Sequence, residues 1–256
     1  MKSLICSALF LITFSQNAQA PNAVPIKAEP HHKLVLENSY VRVYRVSINS
    51  RDATLMHQHD LPYVYVSLGP ADFTNAVWGK PEVEAKLVDG QIGYSKGNFA
   101  HIASADHQDM PFNNVTIELL HPQGDPHNLC EKVIDGPLGT CNEPAPSEPS
   151  ANSGARVTPF KARALFETGE VRAVSNSLEP RSRYTQPNAS FGMLFVVAND
   201  SELQIEFLGE PARSLHGGEV LWLDAGGTAT ISCPLKQGPS RYWVFFFKDA
   251  KPAQKK

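Results

Sequence analysis

The sequence has no basic surplus. Its 23 Lys and Arg stand against 26 Asp and Glu, a formal charge of -3 at pH 7. With no basic stripe, nucleic acid is not an expected partner. Neither a GxSxG elbow nor a GxGxxG or P-loop pattern occurs, which removes the usual signatures of a serine hydrolase and of nucleotide cofactors. Runs of helix-favouring Ala, Glu, Lys and Leu are scarce, so a helical domain is excluded. The apolar stretch at residues 4–14 is too short to span a bilayer as a mature anchor. Cysteine is sparse, with four in the chain, and no second pair accompanies Cys130 and Cys141 to make a zinc knuckle.

Twenty prolines and seventeen glycines punctuate short segments rich in Val, Tyr and Phe. That is the pattern of an all-β chain. Lys2, the apolar residues 4–14 and the ending Ala18-Gln19-Ala20 have the layout of a secretory signal peptide over residues 1–20. A secreted or periplasmic location is expected, with no membrane attachment once the leader is removed. An exported chain meets an oxidising compartment, so Cys130 and Cys141 are expected to form a disulfide, and Cys233 reads as a buried thiol.

A segment rich in Pro, Gly, Asn and Ser, residues 121–159, separates two stretches with the same pattern. Residues 37–68 and 167–198 align without a gap at an offset of 130, pairing Glu37 with Glu167, Arg51 with Arg181 and Val66 with Val196. A second match sets Gly97 against Gly218, and each half closes on an apolar run, at residues 115–120 and 242–247. A repeat this long is a duplicated domain, not a solenoid unit. In the first half, strands are expected at residues 41–48, 63–68, 83–88, 98–102 and 115–120. Short strands with frequent turns imply a sandwich or jelly roll.

The histidines are unevenly placed. His57 and His59 flank Gln58, and in a strand such a pair faces one side. His101 and His107 follow on and after a later strand. Three imidazoles suit Zn, Fe, Cu, Ni or Mn and leave coordination positions for water or substrate. Asp60, Asp106 and Asp109 are either acceptors for these rings or turn residues facing water. Tyr63 and Tyr65 are candidates for binding a ligand inside the barrel, or for packing its core. His31, His32, His121 and His127 fall in the tail or linker, where exposure is expected, and His216 has no partner spacing.

The HxH pair at a strand end, followed by a glycine-led strand, a turn and a further histidine, resembles the two motifs of the cupin superfamily. The resemblance covers roughly residues 34–120 and 160–248 and implies two tandem jelly-roll barrels, a bicupin. By position, His57 and His59 match the first motif, and Gly97 and His107 the second. There are departures. Arg51 stands where the first motif has glycine, the motif's glutamate column falls at Tyr63 or Val64, and Ala103 and Ala105 replace a proline and a glycine. In the second half, Pro187 and Ala189 occupy the columns of His57 and His59, Thr228 that of His107 and Trp222 that of His101. Metal binding is therefore expected in the first barrel alone, by His57, His59 and His107 with His101 as a further candidate. The second barrel is expected to pair structurally with the first, or to form an apolar pocket near Phe191, Met193 and Trp222. The resemblance implies a dioxygenase, decarboxylase or isomerase acting on a small organic substrate, with Glu118 as a candidate for proton transfer. A non-catalytic module that binds a small molecule or a metal is the alternative.

Overall fold

The computed structural model describes residues 20–105, 109–130, 133–134, 140–141, 159–186, 190–207 and 210–248. Its strands form two barrels, each a sandwich of a broad and a narrow sheet. In the first barrel the narrow sheet carries Val24–Pro25, His57–His59, Phe99–Ser104, Ala71–Val77 and Val83–Leu87, in that spatial order. The facing sheet runs Val133–Ile134, Thr140–Cys141, Ile92–Ser95, Tyr63–Ser67, Phe112–Leu119, Val41–Ile48 and His32–Glu37. The second barrel's broad sheet runs His127–Asn128, Phe160–Glu167, Val171–Leu178, Ser240–Phe247, Gly192–Val197 and Val220–Leu223. Its narrow sheet runs Arg183–Gln186, Ala229–Ser232, Glu202–Phe207 and Arg213–His216.

The two broad sheets pack face to face. Alternation along each strand sends one set of side chains to this interface and the other into its own barrel. On Val41–Ile48, for example, Val41 and Val43 join the shared core while Tyr44, Val46 and Ile48 point inward. Val64, Val66, Val115, Ile117 and Leu119 of the first barrel meet Leu194, Val196, Trp243 and Phe245 of the second. Aromatic pairs fix both margins. Tyr94 stacks on Phe166 with centroids 5.0 Å apart, and Tyr40 stacks on Trp222 at 5.6 Å. Arg241 of the second barrel reaches across to Asp89 of the first.

The structure confirms the repeat and corrects part of its alignment. Arg51 and Arg181, paired by sequence, both adopt left-handed backbone, with φ of 64° and 58°. The first-motif glycine column thus keeps the conformation glycine favours after losing the residue. Gly97, however, does not correspond to Gly218. The Gly218 amide donates to Val197 O as the Gly90 amide donates to Ser67 O, so Gly90 is its partner. Trp222 therefore matches Tyr94, an interface residue, and the column of His101 falls in the strand Ala229–Ser232. The expected pocket near Phe191, Met193 and Trp222 does not form. Met193 lies in the second barrel's interior, Trp222 stacks on the first barrel, and Phe191 is 38% exposed.

Cys233 is a free, buried thiol, as expected. The leader lies outside the described residues apart from Ala20, and so does the Cys141 side chain on which the Cys130–Cys141 pairing depends. No helix among the described residues is long and apolar enough to cross a membrane.

Candidate metal centre

His57 and His59 occupy a three-residue strand with both rings directed inward, 0% and 2% exposed. The neighbouring strand is antiparallel and sets His101 opposite His57. Three Nε2 atoms converge as a result: His59 Nε2 lies 3.2 Å from His57 Nε2 and 3.2 Å from His101 Nε2. A fourth ring arrives from an unexpected place. His32 is 8% exposed and opens the strand His32–Glu37, with its centroid 4.6 Å from that of His57. His32, His57 and His59 each offer a ligand atom within 4.8 Å of the others.

These placements revise the predicted ligand set. His101 belongs to the cluster. His107 lies outside the described residues. His32, expected to sit exposed in a tail, is an interior residue, because the segment before it is folded down. Val24–Pro25 pairs in parallel with His57–Gln58, a short 3-10 turn at Ile26–Ala28 buries Ile26, and the chain then enters the broad sheet at His32. This strap closes one side of the barrel.

The second nitrogens of three of the four rings are held by acceptors other than the predicted aspartates. His57 Nδ1 bonds Leu55 O at 2.9 Å, His101 Nδ1 bonds Asn75 Oδ1 at 2.7 Å and His32 Nδ1 bonds Glu29 Oε2 at 2.6 Å. Asp109 is instead a surface partner of Arg51, Asp60 is exposed, and Asp106 is outside the described residues. An acceptor at Nδ1 keeps the proton there and leaves a lone pair on Nε2. Burial, reinforced by the neighbouring histidines, depresses all three central rings. His57 falls to about 4, and His59 and His101 lie well below the usual imidazole range. His57, His59 and His101 are therefore neutral at physiological pH.

This donor set fits a transition-metal ion. In the protein alone, the lone pairs of His57 and His101 both face His59, and the one Nε2–H that His59 can offer serves only one of them. His59 Nδ1 is buried and has no hydrogen-bond partner among the described residues. A cation among the Nε2 atoms would satisfy the lone pairs together, and the 3.2 Å separations suit nitrogens that share one ion.

The walls are aromatic. Tyr63 stacks on His59 at 4.4 Å, with its hydroxyl paired to Ser95, and Phe99 lies 5.5 Å from His59 on the same ring. Tyr65 packs against the inner core, where Gly93 makes room for it: a Cβ at Gly93 would come within 2.5 Å of the Tyr65 ring. Burial lifts the Tyr65 hydroxyl to about 12. Away from the histidine ligands, which do not line the cavity beside it, Glu118 is 2% exposed, with Tyr44 OH at 3.4 Å and Arg42 Nη1 at 3.6 Å. Burial pushes the Glu118 carboxyl up despite the pull of Arg42. A cavity of about 220 Å³ opens beside this group, lined by Ile26, Lys27, Arg42, Tyr44, Gln58 and Glu118 among others.

No family model and no curated protein matches the chain. Solved structures do match in fold. A cupin 2 conserved barrel domain protein from Leptotrichia buccalis covers 85% of this chain and 88% of its own length, at 9% identity and a TM-score of 0.51. AerE from Microcystis aeruginosa covers 86% and 98%, at 10% identity and 0.53. Salicylate 1,2-dioxygenase from Pseudoaminobacter salicylatoxidans, in its adduct with gentisate, covers 82% and 68%, at 12% identity and 0.55. Identities this low carry the fold and nothing finer. The chain has the cupin fold, in its two-barrel form.

Proposed function

We propose that the chain is an exported bicupin that binds one divalent transition metal (Mn, Fe, Zn, Ni or Cu) in its first barrel through His57, His59 and His101, with His32 as fourth ligand. The observation that carries this reading is His59 Nε2 lying 3.2 Å from the Nε2 atoms of both His57 and His101. His32, His57 and His59 offer ligand atoms within 4.8 Å of one another, and acceptors hold the outer nitrogens of His57 and His101. When bound, such an ion polarises a substrate oxygen or activates O₂. The residues around it orient the donors and exclude water. Glu118, raised by burial and placed beside a cavity, is the group suited to hold or accept a proton from a small organic acid. The reaction class that fits is an oxidoreductase of dioxygenase type, or a decarboxylase or isomerase. Salicylate 1,2-dioxygenase shows that this two-barrel fold accommodates dioxygenase chemistry. A disulfide between Cys130 and Cys141 belongs to the same proposal, since export would bring the two thiols into an oxidising compartment. The test is elemental analysis of the purified mature chain. About one metal per chain, lost in H57A, is expected. A chain without metal, whose stability is unchanged by adding these ions, favours the non-catalytic module.

A further inference from the structure

We infer that Glu29 is a positioning residue for the metal centre: its buried carboxylate holds His32 as the fourth ligand and sets a full negative charge directly behind that ring. The inference rests on the metal reading above. The Glu29 side chain is fully shielded from solvent and lies on the strap, outside the cluster itself. One oxygen accepts from His32 Nδ1 at 2.6 Å and from the His31 amide at 2.8 Å. The other accepts from the Leu55 amide at 3.2 Å and contacts His31 Nδ1 at 2.9 Å. Leu55 in turn presents its carbonyl to His57 Nδ1 at 2.9 Å. One carboxylate thus ties the strap to the strand that carries the HxH pair.

The charge matters as much as the tether. Imidazole ligands bring no anion to a dication, and the ligand column that would carry glutamate in a cupin motif holds Tyr63 or Val64 here. A carboxylate bound to Nδ1–H raises the basicity of the ring's other nitrogen and offsets part of the ion's charge through the imidazole. Glu29 therefore supplies from behind His32 what a direct carboxylate ligand would supply at the ion. His31 and Asp52 keep it in place from outside, with His31 Nε2 3.1 Å from Asp52 Oδ2.

The experiment titrates the full mature chain with Co(II), read by its visible absorption and by competition with a chelator, alongside Zn(II). E29Q preserves volume and removes the charge. It should weaken Co(II) binding about 10- to 100-fold, the usual effect of losing an outer-sphere partner of a ligand. In an H32A background the same substitution should add less than about twofold, because Glu29 acts through His32. Wild-type affinity in folded E29Q, with only a lowered unfolding midpoint, overturns the inference, as does an undiminished effect in H32A. If E29Q does not fold, H32Q, which leaves the Glu29 carboxylate intact, takes its place. Weakened Co(II) binding with an altered absorption band supports a fourth ligand, and unchanged binding removes it. A wild-type chain that takes up neither ion overturns the metal reading together with this one.

Discussion

The two barrels share a backbone plan and have opposite interiors. Where the first directs Tyr63, Tyr65 and Ser67 inward from its central strand, the second directs Met193, Phe195 and Val197. Thr116 is answered by Val244 and Gly93 by Leu221. The second interior is a closed apolar cluster whose members Phe195, Leu203, Ile205 and Met193 are 0% exposed. The first holds three buried imidazoles, a fourth half-buried at His101, a carboxyl and several hydroxyls in the equivalent space. Buried polar groups cost stability unless they are paired, so the difference marks which barrel is shaped by chemistry and which by packing.

The strongest way to break this contrast is at the histidines. H57A should take the chain from about one bound metal to none, because the second barrel has no set to replace it. Residual stoichiometric metal in H57A would show a second site. Next in size, the apolar barrel should be the more sensitive to truncation. F195A should cost about 3–5 kcal/mol in denaturant unfolding, the range for a fully buried phenylalanine. Its counterpart Y65F should cost well under half of that, since the ring stays and only a hydroxyl goes. A smaller effect tests the outer sphere of the metal site in isolation. N75A removes the partner of His101 Nδ1 and should weaken Co(II) binding about 10- to 100-fold while the unfolding midpoint moves little. The smallest concerns the seam between the barrels. A double-mutant cycle on Tyr40 and Trp222 should return a coupling of about 0.5–1.5 kcal/mol, as stacked aromatics give, and a coupling near zero would mean the pair merely fills space.

Much of this was legible in the residues. The HxH spacing, the alternation of the long strands and the offset linking Arg51 to Arg181 report backbone periodicity directly, and periodicity is what a sequence displays best. His32 was missed for a local reason. Its strand shifts register between Leu34 and Leu36, so the run HKLVLE lost its alternation and read as a tail. The sequence pairs His101 wrongly because two glycines, Gly90 and Gly97, each precede a strand and either can anchor the alignment. The acceptors Leu55, Asn75 and Glu29 could not have been found by spacing, since they are set by strand neighbours and by a strap that folds back over the barrel.

The seam carries one more consequence. Because the broad face of each barrel is buried only by the other, neither half could be expressed alone without turning a wide greasy surface to water. Proteolytic nicking between the halves would cut the covalent link and leave this adhesion untouched, so the two fragments should travel together until denatured.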